Sequence, residues 1–168
     1  MPIPQKITKY LEKAKVKYEP VKHKTVYTAR DKAATLRVPE KIVGKVLVVK
    51  FNGSFSLVLV PANKNLDKRK FLKVVNDWLK KEKQKSVKLI NFGTEKWMKK
   101  NLKGVKIGAI PPFGKIWGLP TFVDRGLMRN PKIIVSVGDY NWSIKISKDN
   151  LRKLMPDLIT GSFEKAKK

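Results

Sequence analysis

The sequence predicts an α+β fold in a single domain, and three observations lead to this prediction. Two β-branched runs flank Asn52-Gly53, a pair that favours a two-residue hairpin turn because both turn positions need a positive φ. Apolar residues then recur at helical spacing over residues 68–81. A chain of 168 residues that is 42% hydrophobic can bury one core and does not require a second.

The elements before the hairpin are predicted from apolar spacing and from capping residues. Residues 4–15 carry apolar side chains every three or four positions, with a proline in the first turn, and predict a helix. Residues 16–20 alternate between apolar and charged types and predict a short strand. Thr28, with Asp31 three positions later, is a variant of the capping box, so a second helix is expected to begin there and to end before Pro39.

The predicted hairpin pairs Lys45–Phe51 with Ser54–Val60 and ends at Pro61. Its first strand is apolar at successive positions from Val46 to Val49, a pattern typical of a strand that is covered on both faces. Lys45 stands at the start of this strand. Two interpretations remain open from the hairpin alone: the ammonium is held over a pocket, or the side chain reaches past the core to solvent.

Two further helices and a strand are predicted after the hairpin. Asp67 is the expected N-cap of the helix over residues 68–81. Residues 87–92 are expected to form a strand, and Thr94 to cap a helix that reaches Leu102.

Residues 105–120 are dense in glycine and proline and are not expected to form a helix. Prolines make such a segment rigid, and glycines allow backbone amides to approach a ligand closely. The alternative is a connecting loop. A structureless connection of this length is uncommon in a compact domain, which favours a functional loop.

The remaining strands are predicted at residues 121–124, 132–137 and 142–146. Ser147 is the expected cap of a last helix that ends at Pro156. Residues 164–168 are interpreted as a frayed basic tail.

The charge of the chain indicates a polyanionic partner. It has 39 Lys and Arg against 13 Asp and Glu, a formal net charge of +26. One face of the helix over residues 68–81 is basic and could follow a phosphate backbone or simply be solvated. The first alternative is favoured, and the residues predicted to contact phosphates are Lys68, Arg69, Lys70, Lys73 and Lys81.

The absence of cysteine excludes disulfides, a thiolate nucleophile and cysteine zinc sites. No Gly-x-Ser-x-Gly motif accompanies the single histidine, His23, which is interpreted as an ordinary surface or turn residue. No metal or other cofactor is expected. No apolar run approaches membrane-spanning length and the N-terminus does not resemble a signal peptide, so a soluble cytoplasmic protein with no membrane partner is expected.

Several motifs, in their order and spacing, resemble the YbaK/ProX family of freestanding aminoacyl-tRNA deacylases, which is similar to the editing insertion domain of bacterial prolyl-tRNA synthetases. The resemblance covers nearly the whole chain, from Tyr18-Glu19 to about Leu154. It rests on these segments: Val43 to Val49, Val58 to Pro61 with Leu66-Asp67, the Gly-x-x-x-Pro loop from Gly108 to Pro112, Leu119 to Asp124, and Val135 to Gly138.

The resemblance implies a mixed, curved, barrel-like sheet with surrounding helices, as one deacylase domain over residues 1–168 with its core at about 16–155. The pocket would lie between the strand that carries Lys45 and the glycine-proline loop. Lys45 matches the active-site lysine of the family. The implied substrate-binding residues are Gly108, Ala109, Ile110, Pro112 and Gly114 of the loop, with Ser136 and Gly138 at a strand end.

Two positions depart from the family pattern and make the implied pocket more apolar. Val46 stands where many members have threonine, and Pro111 stands where other relatives have serine.

The resemblance implies a trans-editing hydrolase that deacylates mischarged tRNA. The substrate it favours is proline tRNA that carries alanine or cysteine. An aminoacyl ester needs only a placed water and stabilisation of the oxyanion, which amides and one ammonium can supply. No carboxylate is an evident base, and relatives are thought to use the ribose 2′-hydroxyl of the substrate. The expected partners are the aminoacylated 3′ end of tRNA and an aminoacyl-tRNA synthetase.

Two other functions remain open at this point. One is a non-catalytic RNA-binding module on the same fold, because a fold alone does not choose a function. The other is an unspecific DNA-compacting protein, which accounts for the charge but not for the loop.

Overall fold

The computed structural model describes residues 3–167, and in this range the predicted α+β class is confirmed. The helices are α1 Gln5–Ala14, α2 Ala29–Leu36, α3 Lys68–Lys81, α4 Glu95–Asn101, α5 Arg125–Met128 and α6 Lys148–Leu154. The strands are β1 Glu19–Lys22, β2 Gly44–Phe51, β3 Ser54–Pro61, β4 Lys64–Leu66, β5 Asn91–Phe92, β6 Thr121–Asp124, β7 Lys132–Ser136, β8 Trp142–Ser147, β9 Ile159–Gly161 and β10 Glu164–Ala166. No helix of this range is long and apolar enough to cross a membrane.

The hairpin of β2 and β3 has the predicted turn and register. Asn52 and Gly53 have φ values of 50° and 78°, as a type I′ turn requires. β2 pairs with β3 along its whole length and with β5 at its far end. The predicted central position of β2 is therefore confirmed.

The central sheet is mixed, with the strand order β5-β2-β3-β6-β9. β3, β6 and β9 run parallel to one another, whereas β2 is antiparallel to β3. A three-stranded antiparallel sheet, β1-β8-β7, adjoins β2 through one parallel bridge between Val43 and Ile134. A short antiparallel pair of β10 and β4 completes the strands of residues 3–167.

The sheets do not close into the barrel-like form that the resemblance implied. β5 and β9 are the two outer strands of the central sheet and do not pair with each other. β5 is only two residues long, so it offers little edge for a further strand.

Helices cover both faces of this arrangement and place its apolar side chains in separate clusters. On one face, Ile7 and Leu11 of α1 pack with Leu151 of α6 and with the odd-numbered residues of β7. On the other face, α3 packs Phe71 against Phe122 of β6, and α2 packs Ala33 against Val43 and Ile134. A buried strand between two helical layers explains why Val46 to Val49 are apolar at successive positions.

The predicted helix caps are confirmed. In each case the side chain of the N-cap residue accepts a hydrogen bond from an amide three positions later. The capping residues are Thr28, Asp67, Thr94 and Ser147.

Two predicted strands are displaced or shortened. The strand expected at residues 16–20 is β1, Glu19–Lys22, because the pairing with β8 begins only at Glu19. Of the strand expected at residues 87–92, only β5 is paired. The backbone of Val87 instead exchanges two hydrogen bonds with the side-chain amide of Asn76, at 2.8 and 3.0 Å.

The prediction of a frayed tail over residues 164–168 is wrong for the described part. β10 pairs with β4, and the preceding Phe163 is fully buried against Phe71 with its amide donated to Asp124 at 2.8 Å. The aromatic anchor and the ladder together hold this segment on the domain. Lys168, like Met1 and Pro2, lies outside the described residues.

Candidate active site

Lys45 and Ser136 lie on the same face of adjoining strands. The parallel bridge joins Val43, just before β2, to Ile134 of β7, and Lys45 and Ser136 each follow two positions later. Because side chains alternate along a strand, both point to the face on which Val43 and Ile134 pack against Ala33 of α2. Two residues that the resemblance assigned to one pocket thus lie on one face of the fold, each two positions after the bridge.

The ammonium of Lys45 is held by the backbone of β4. Its Nζ atom donates to the carbonyl of Lys64 at 2.7 Å and lies 3.5 Å from Asn65 Oδ1. The side chain is half-buried, and burial, followed by the nearby charge of Lys167, lowers the pKa of Lys45. In the structure the Lys45 ammonium is therefore bound by protein atoms at the edge of the sheet.

Ser136 is paired with a lysine that the sequence analysis did not identify. Lys32 Nζ donates to Ser136 Oγ at 2.7 Å, and Lys32 and Ser136 are only 4% and 7% exposed. Burial lowers the pKa of Lys32 to about 8. The available signal was its position: Lys32 falls at helical spacing from Ala29 and Leu36, on the apolar stripe of α2.

The strand end after Ser136 is joined to the predicted functional loop. Lys106 donates its amide to the carbonyl of Gly138 at 3.0 Å, and Gly138 donates its amide to the carbonyl of Ala109 at 2.8 Å. Gly138 has a φ of 94°, which only glycine adopts readily. These bonds hold Gly108 and Ala109 next to Gly138, which lies two residues after Ser136.

Gly108 is exposed and its backbone requires a glycine. Its φ is 91°, and an added Cβ would lie 2.9 Å from the carbonyl oxygen of Tyr27. Tyr27 is 62% exposed and packs edge-on against Tyr140, whose hydroxyl donates to the carbonyl of Ile107. Within residues 3–167 the amide of Gly108 has no hydrogen-bond partner, so it can donate to a ligand.

The rest of the loop is packed away from Lys45. Ile110 is buried with Val48 and Leu57, and Gly114 has no room for a side chain beside Thr121. The carbonyl of Pro112 accepts a hydrogen bond from the Thr121 hydroxyl at 2.9 Å. The structure therefore does not bring these three predicted binding residues to the face that carries Lys45.

The departure at Val46 lies on that other face as well. Val46 follows Lys45 on β2 and packs in the clusters that contain Ile110 and Val135. Its replacement of threonine therefore changes the core and not the surroundings of the Lys45 ammonium.

His23 is buried, which corrects its interpretation as a surface residue. It is 8% exposed, and its ring nitrogens lie 2.8 Å from the carbonyl of Lys24 and 2.9 Å from Ser143 Oγ. Burial is the main cause that lowers the pKa of His23. Ser143 of β8 stands opposite Ser136 in the ladder, so His23 supports the strand pair behind the candidate site.

The predicted basic face of α3 is exposed. Its members are Lys68, Arg69, Lys70, Lys73 and Lys81. None of them belongs to an ion pair within residues 3–167. Lys68 lies 4.9 Å from the ring centroid of the exposed Phe92, a contact that leaves its charge available to phosphates.

A cavity of about 430 Å³ lies elsewhere, between α1, α3 and the end of the loop. Tyr10, Trp78 and Gly114 are among the residues that line it. Lys45, Ser136 and Gly108 do not line it. Its size alone does not make it the site, because the polar groups that could act on an ester lie on the α2 face.

Comparison with known proteins identifies a family. The sequence profile of the aminoacyl-tRNA editing domain matches residues 23–154, most of the chain. No curated protein sequence matches this chain significantly.

Solved structures share the fold at low sequence identity. A proposed trans-editing enzyme for prolyl-tRNA synthetase superposes with a TM-score of 0.80 at 19% identity, covering 99% of each chain. A hypothetical protein gives 0.79 at 19% identity, covering 96% of this chain and 100% of the other. A proposed signal-transduction protein from Marinobacter aquaeolei gives 0.68 at 13% identity, covering 96% of this chain but 30% of the other.

Proposed function

Because the chain belongs to the aminoacyl-tRNA editing domain family, we propose that it is a trans-acting editing enzyme that removes alanine or cysteine from wrongly charged proline tRNA. Aminoacyl-tRNA deacylation is the activity of an editing domain, and the chain is a deacylase in this sense. The amino acid, the tRNA, the partner and the role of each residue belong to the proposal.

One observation supports the location of the site most strongly. Lys45 and Ser136 share a sheet face, and the loop that ends at Ala109 is hydrogen-bonded to the same strand end at Gly138. The fold thereby connects a cation, a hydroxyl and the amide of Gly108, which has no hydrogen-bond partner within residues 3–167. Such donors suit an ester, whose carbonyl oxygen gains negative charge during hydrolysis.

The deacylation step needs no covalent intermediate. A water molecule attacks the carbonyl carbon and the electron pair of the carbonyl moves to its oxygen. The bond to the ribose 3′ oxygen then breaks, and that oxygen takes up one proton of the water. In the proposal Lys45 holds a substrate phosphate or the developing charge, and Gly108 brings its amide to the ester. Ala109 holds the loop in place, because its amide donates to Lys106 and its carbonyl accepts from Gly138. We propose that Ile110, Pro112 and Gly114 act by fixing the shape of the loop.

The body of the tRNA is proposed to lie along α3. Five exposed basic side chains, which have no acidic partner in the described part of the chain, form a stripe that suits a phosphate backbone. We also propose that the whole chain forms one editing domain, with β10 as part of it because this strand pairs with β4 beside Lys45.

The second candidate function is RNA binding without catalysis, which the net charge of +26 favours independently of the site. A deacylation panel separates the two. Purified protein is incubated with proline tRNA that carries alanine, cysteine or proline. The fourth substrate is alanine tRNA that carries alanine. We expect hydrolysis of the alanyl or cysteinyl ester on proline tRNA, and no hydrolysis of the prolyl ester. Binding of all four without hydrolysis would leave only the RNA-binding function.

A further inference from the structure

Lys32 is a buried cation for which residues 3–167 supply no counter-charge. Within residues 3–167 the ion pairs are Arg30 with Glu40, Lys106 with Asp139, and Lys115 with Asp157. Moving an ammonium out of water without an anion costs several kcal/mol in a protein interior. A group kept in this state is a candidate for interaction with charge that arrives with a ligand or develops in a reaction.

The charged groups around Lys32 do not compensate it. His23 is held by Lys24 and Ser143, and burial and the charge of Lys32 both lower its pKa, so it stays neutral near pH 7. Asp139 lies beyond the strand end and is bound to Lys106 at 3.1 Å. Lys45, on the same sheet face, is itself a cation and is bound to the carbonyl of Lys64.

The bond between Lys32 and Ser136 leaves the serine hydroxyl free to donate. An ammonium has no lone pair, so Ser136 Oγ is the acceptor in their 2.7 Å contact. The hydroxyl proton must then point to another acceptor, and within residues 3–167 Ser136 Oγ donates to no protein atom. Nearby, Asn63, which follows Ala62 of the α2-facing cluster, has a buried Oδ1 atom without a hydrogen-bond partner. Unused polar groups at this end of the sheet indicate that a ligand completes the site.

We propose that the Ser136 hydroxyl donates to the ester oxygen that becomes negative during deacylation, and that Lys32 is the positioning residue that orients and polarises this hydroxyl. This inference rests on the proposed function. Water supplies the new oxygen of the product acid, the oxyanion collapses by releasing the ribose 3′ oxygen, and the proton of the water passes to that leaving oxygen. Lys32 keeps its proton throughout.

The protonation state of Lys32 gives the proposal a distinctive pH dependence. With a pKa of about 8, the side chain is mostly an ammonium at pH 7 and is neutral at pH 9. The advantage of the wild type over a variant without this charge should be constant below pH 8 and should shrink above it. A neutral lysine that acts as the base for a Ser136 nucleophile predicts the opposite, an advantage that grows through pH 8.

The test measures single-turnover deacylation of proline tRNA that carries alanine, from pH 6 to 9, with uncatalysed hydrolysis subtracted. The variants are Ser136→Ala and Lys32→Met, the double variant, and Ser56→Ala as a control for loss of a buried serine that only donates to a backbone carbonyl. Each single variant is expected to lower the rate at saturating protein by about tenfold to a hundredfold, the scale of one oxyanion donor or less. The double variant should be no slower than the slower single variant, because the two residues act as a unit.

Three results would overturn the proposal: unchanged rates in folded Ser136→Ala, a ratio of wild type to Lys32→Met that rises with pH, or an aminoacyl group trapped on Ser136. Thermal melts report folding, and Ser136→Ala keeps the test decisive if Lys32→Met does not fold. An inactive wild type would instead refute the proposed function, whereas an active wild type with equally active variants refutes only this inference.

Discussion

Lys32 and Lys45 are both partly withdrawn from water, but the fold holds them in different ways. Lys45 donates to a backbone carbonyl, which cannot move far. Lys32 donates to a hydroxyl, which can in turn donate its own proton to a ligand. Burial lowers the pKa of each, and it lowers the pKa of Lys32 to about 8. The two ammonium groups are therefore expected to respond differently to substitution and to pH.

The first prediction concerns stability as a function of pH. Since the pKa of Lys32 is lowered from 10.5 to about 8 on folding, the unfolded chain binds more protons between these values. The penalty for the buried ammonium is complete below pH 8 and is relieved as the pH rises toward 10.5, by about 3 kcal/mol. Lys32→Met should thus be more stable than the wild type at pH 7, and its advantage should shrink above pH 8. Urea unfolding of both proteins at pH 7 and pH 10 measures this, and a difference that does not change with pH would show that Lys32 is solvated.

Gly108 allows a direct test of loop geometry. Gly108→Val should remove deacylation and leave the far-UV circular dichroism spectrum intact, because the new side chain meets the Tyr27 carbonyl and shifts the loop amides. Gly104→Val is the matched control, since Gly104 has a similar φ of 93° but only the flexible Lys6 side chain nearby. Equal activity in the two folded variants would contradict a role for the Gly108 amide.

At the scale of elements, the C-terminal segment is held by an aromatic anchor. Phe163→Ala should lower the free energy of unfolding by about 3–5 kcal/mol, the usual cost of removing a fully buried aromatic side chain. Phe92→Ala, at a half-exposed position, should change it by less than about 1 kcal/mol. Urea unfolding of both variants measures the difference, and similar effects would mean that the segment after residue 162 is not packed in solution.

The basic face of α3 makes a prediction about RNA affinity. Replacing Lys68, Lys70, Lys73 and Lys81 together by Gln should weaken tRNA binding and reduce its salt dependence, because four phosphate contacts and their released counterions are lost. Stability should hardly change, since solvated surface charges contribute little. The matched control replaces Lys9, Lys13, Lys17 and Lys153, also exposed, and removes the same charge. Fluorescence anisotropy over a salt series compares them; equal losses would place the tRNA elsewhere or show a purely general charge effect.

Elements with local signals could be predicted from the sequence, and elements without them could not. The Asn52-Gly53 turn and the caps at Thr28, Asp67, Thr94 and Ser147 are decided by a few neighbouring residues. β4 and β10 are three residues each and come from opposite halves of the chain. Neither has a pattern of its own, because each forms only when the rest of the fold brings its partner close.

The same limit applies to the site, which is assembled by the whole molecule. Lys45, Gly108, Ser136 and Gly138 were found through motif order, which reports family likeness. The contact between Lys32 and Ser136 spans 104 positions, and no local spacing encodes it. The register that sets Lys45 and Ser136 on the same face depends on one bridge between two sheets. Ile110, Pro112 and Gly114 share the loop motif, but the loop crosses to the other face of the sheet after Ala109.

Net charge acts at this scale as well. A charge of +26 on a small domain raises the electrostatic free energy of the folded state and attracts polyanions from a distance. Affinity for tRNA should therefore depend on the whole surface, whereas turnover should depend on a few groups on the α2 face. Measurements of rate at saturating protein separate these two contributions.

The most direct test of the proposed active site is single-turnover deacylation, by Lys45→Ala, of proline tRNA that carries alanine. A thermal melt of the same protein accompanies it. The rate should fall by about a hundredfold or more, the scale of one lost preorganised charge, and Lys45→Arg should restore only part of it. Lys50→Ala, an exposed lysine of the same strand, should keep the wild-type rate. Loss of the bond to the Lys64 carbonyl should cost only about 1 kcal/mol of stability. A well-folded Lys45→Ala protein that deacylates at the wild-type rate would contradict the assignment of Lys45 to the editing site.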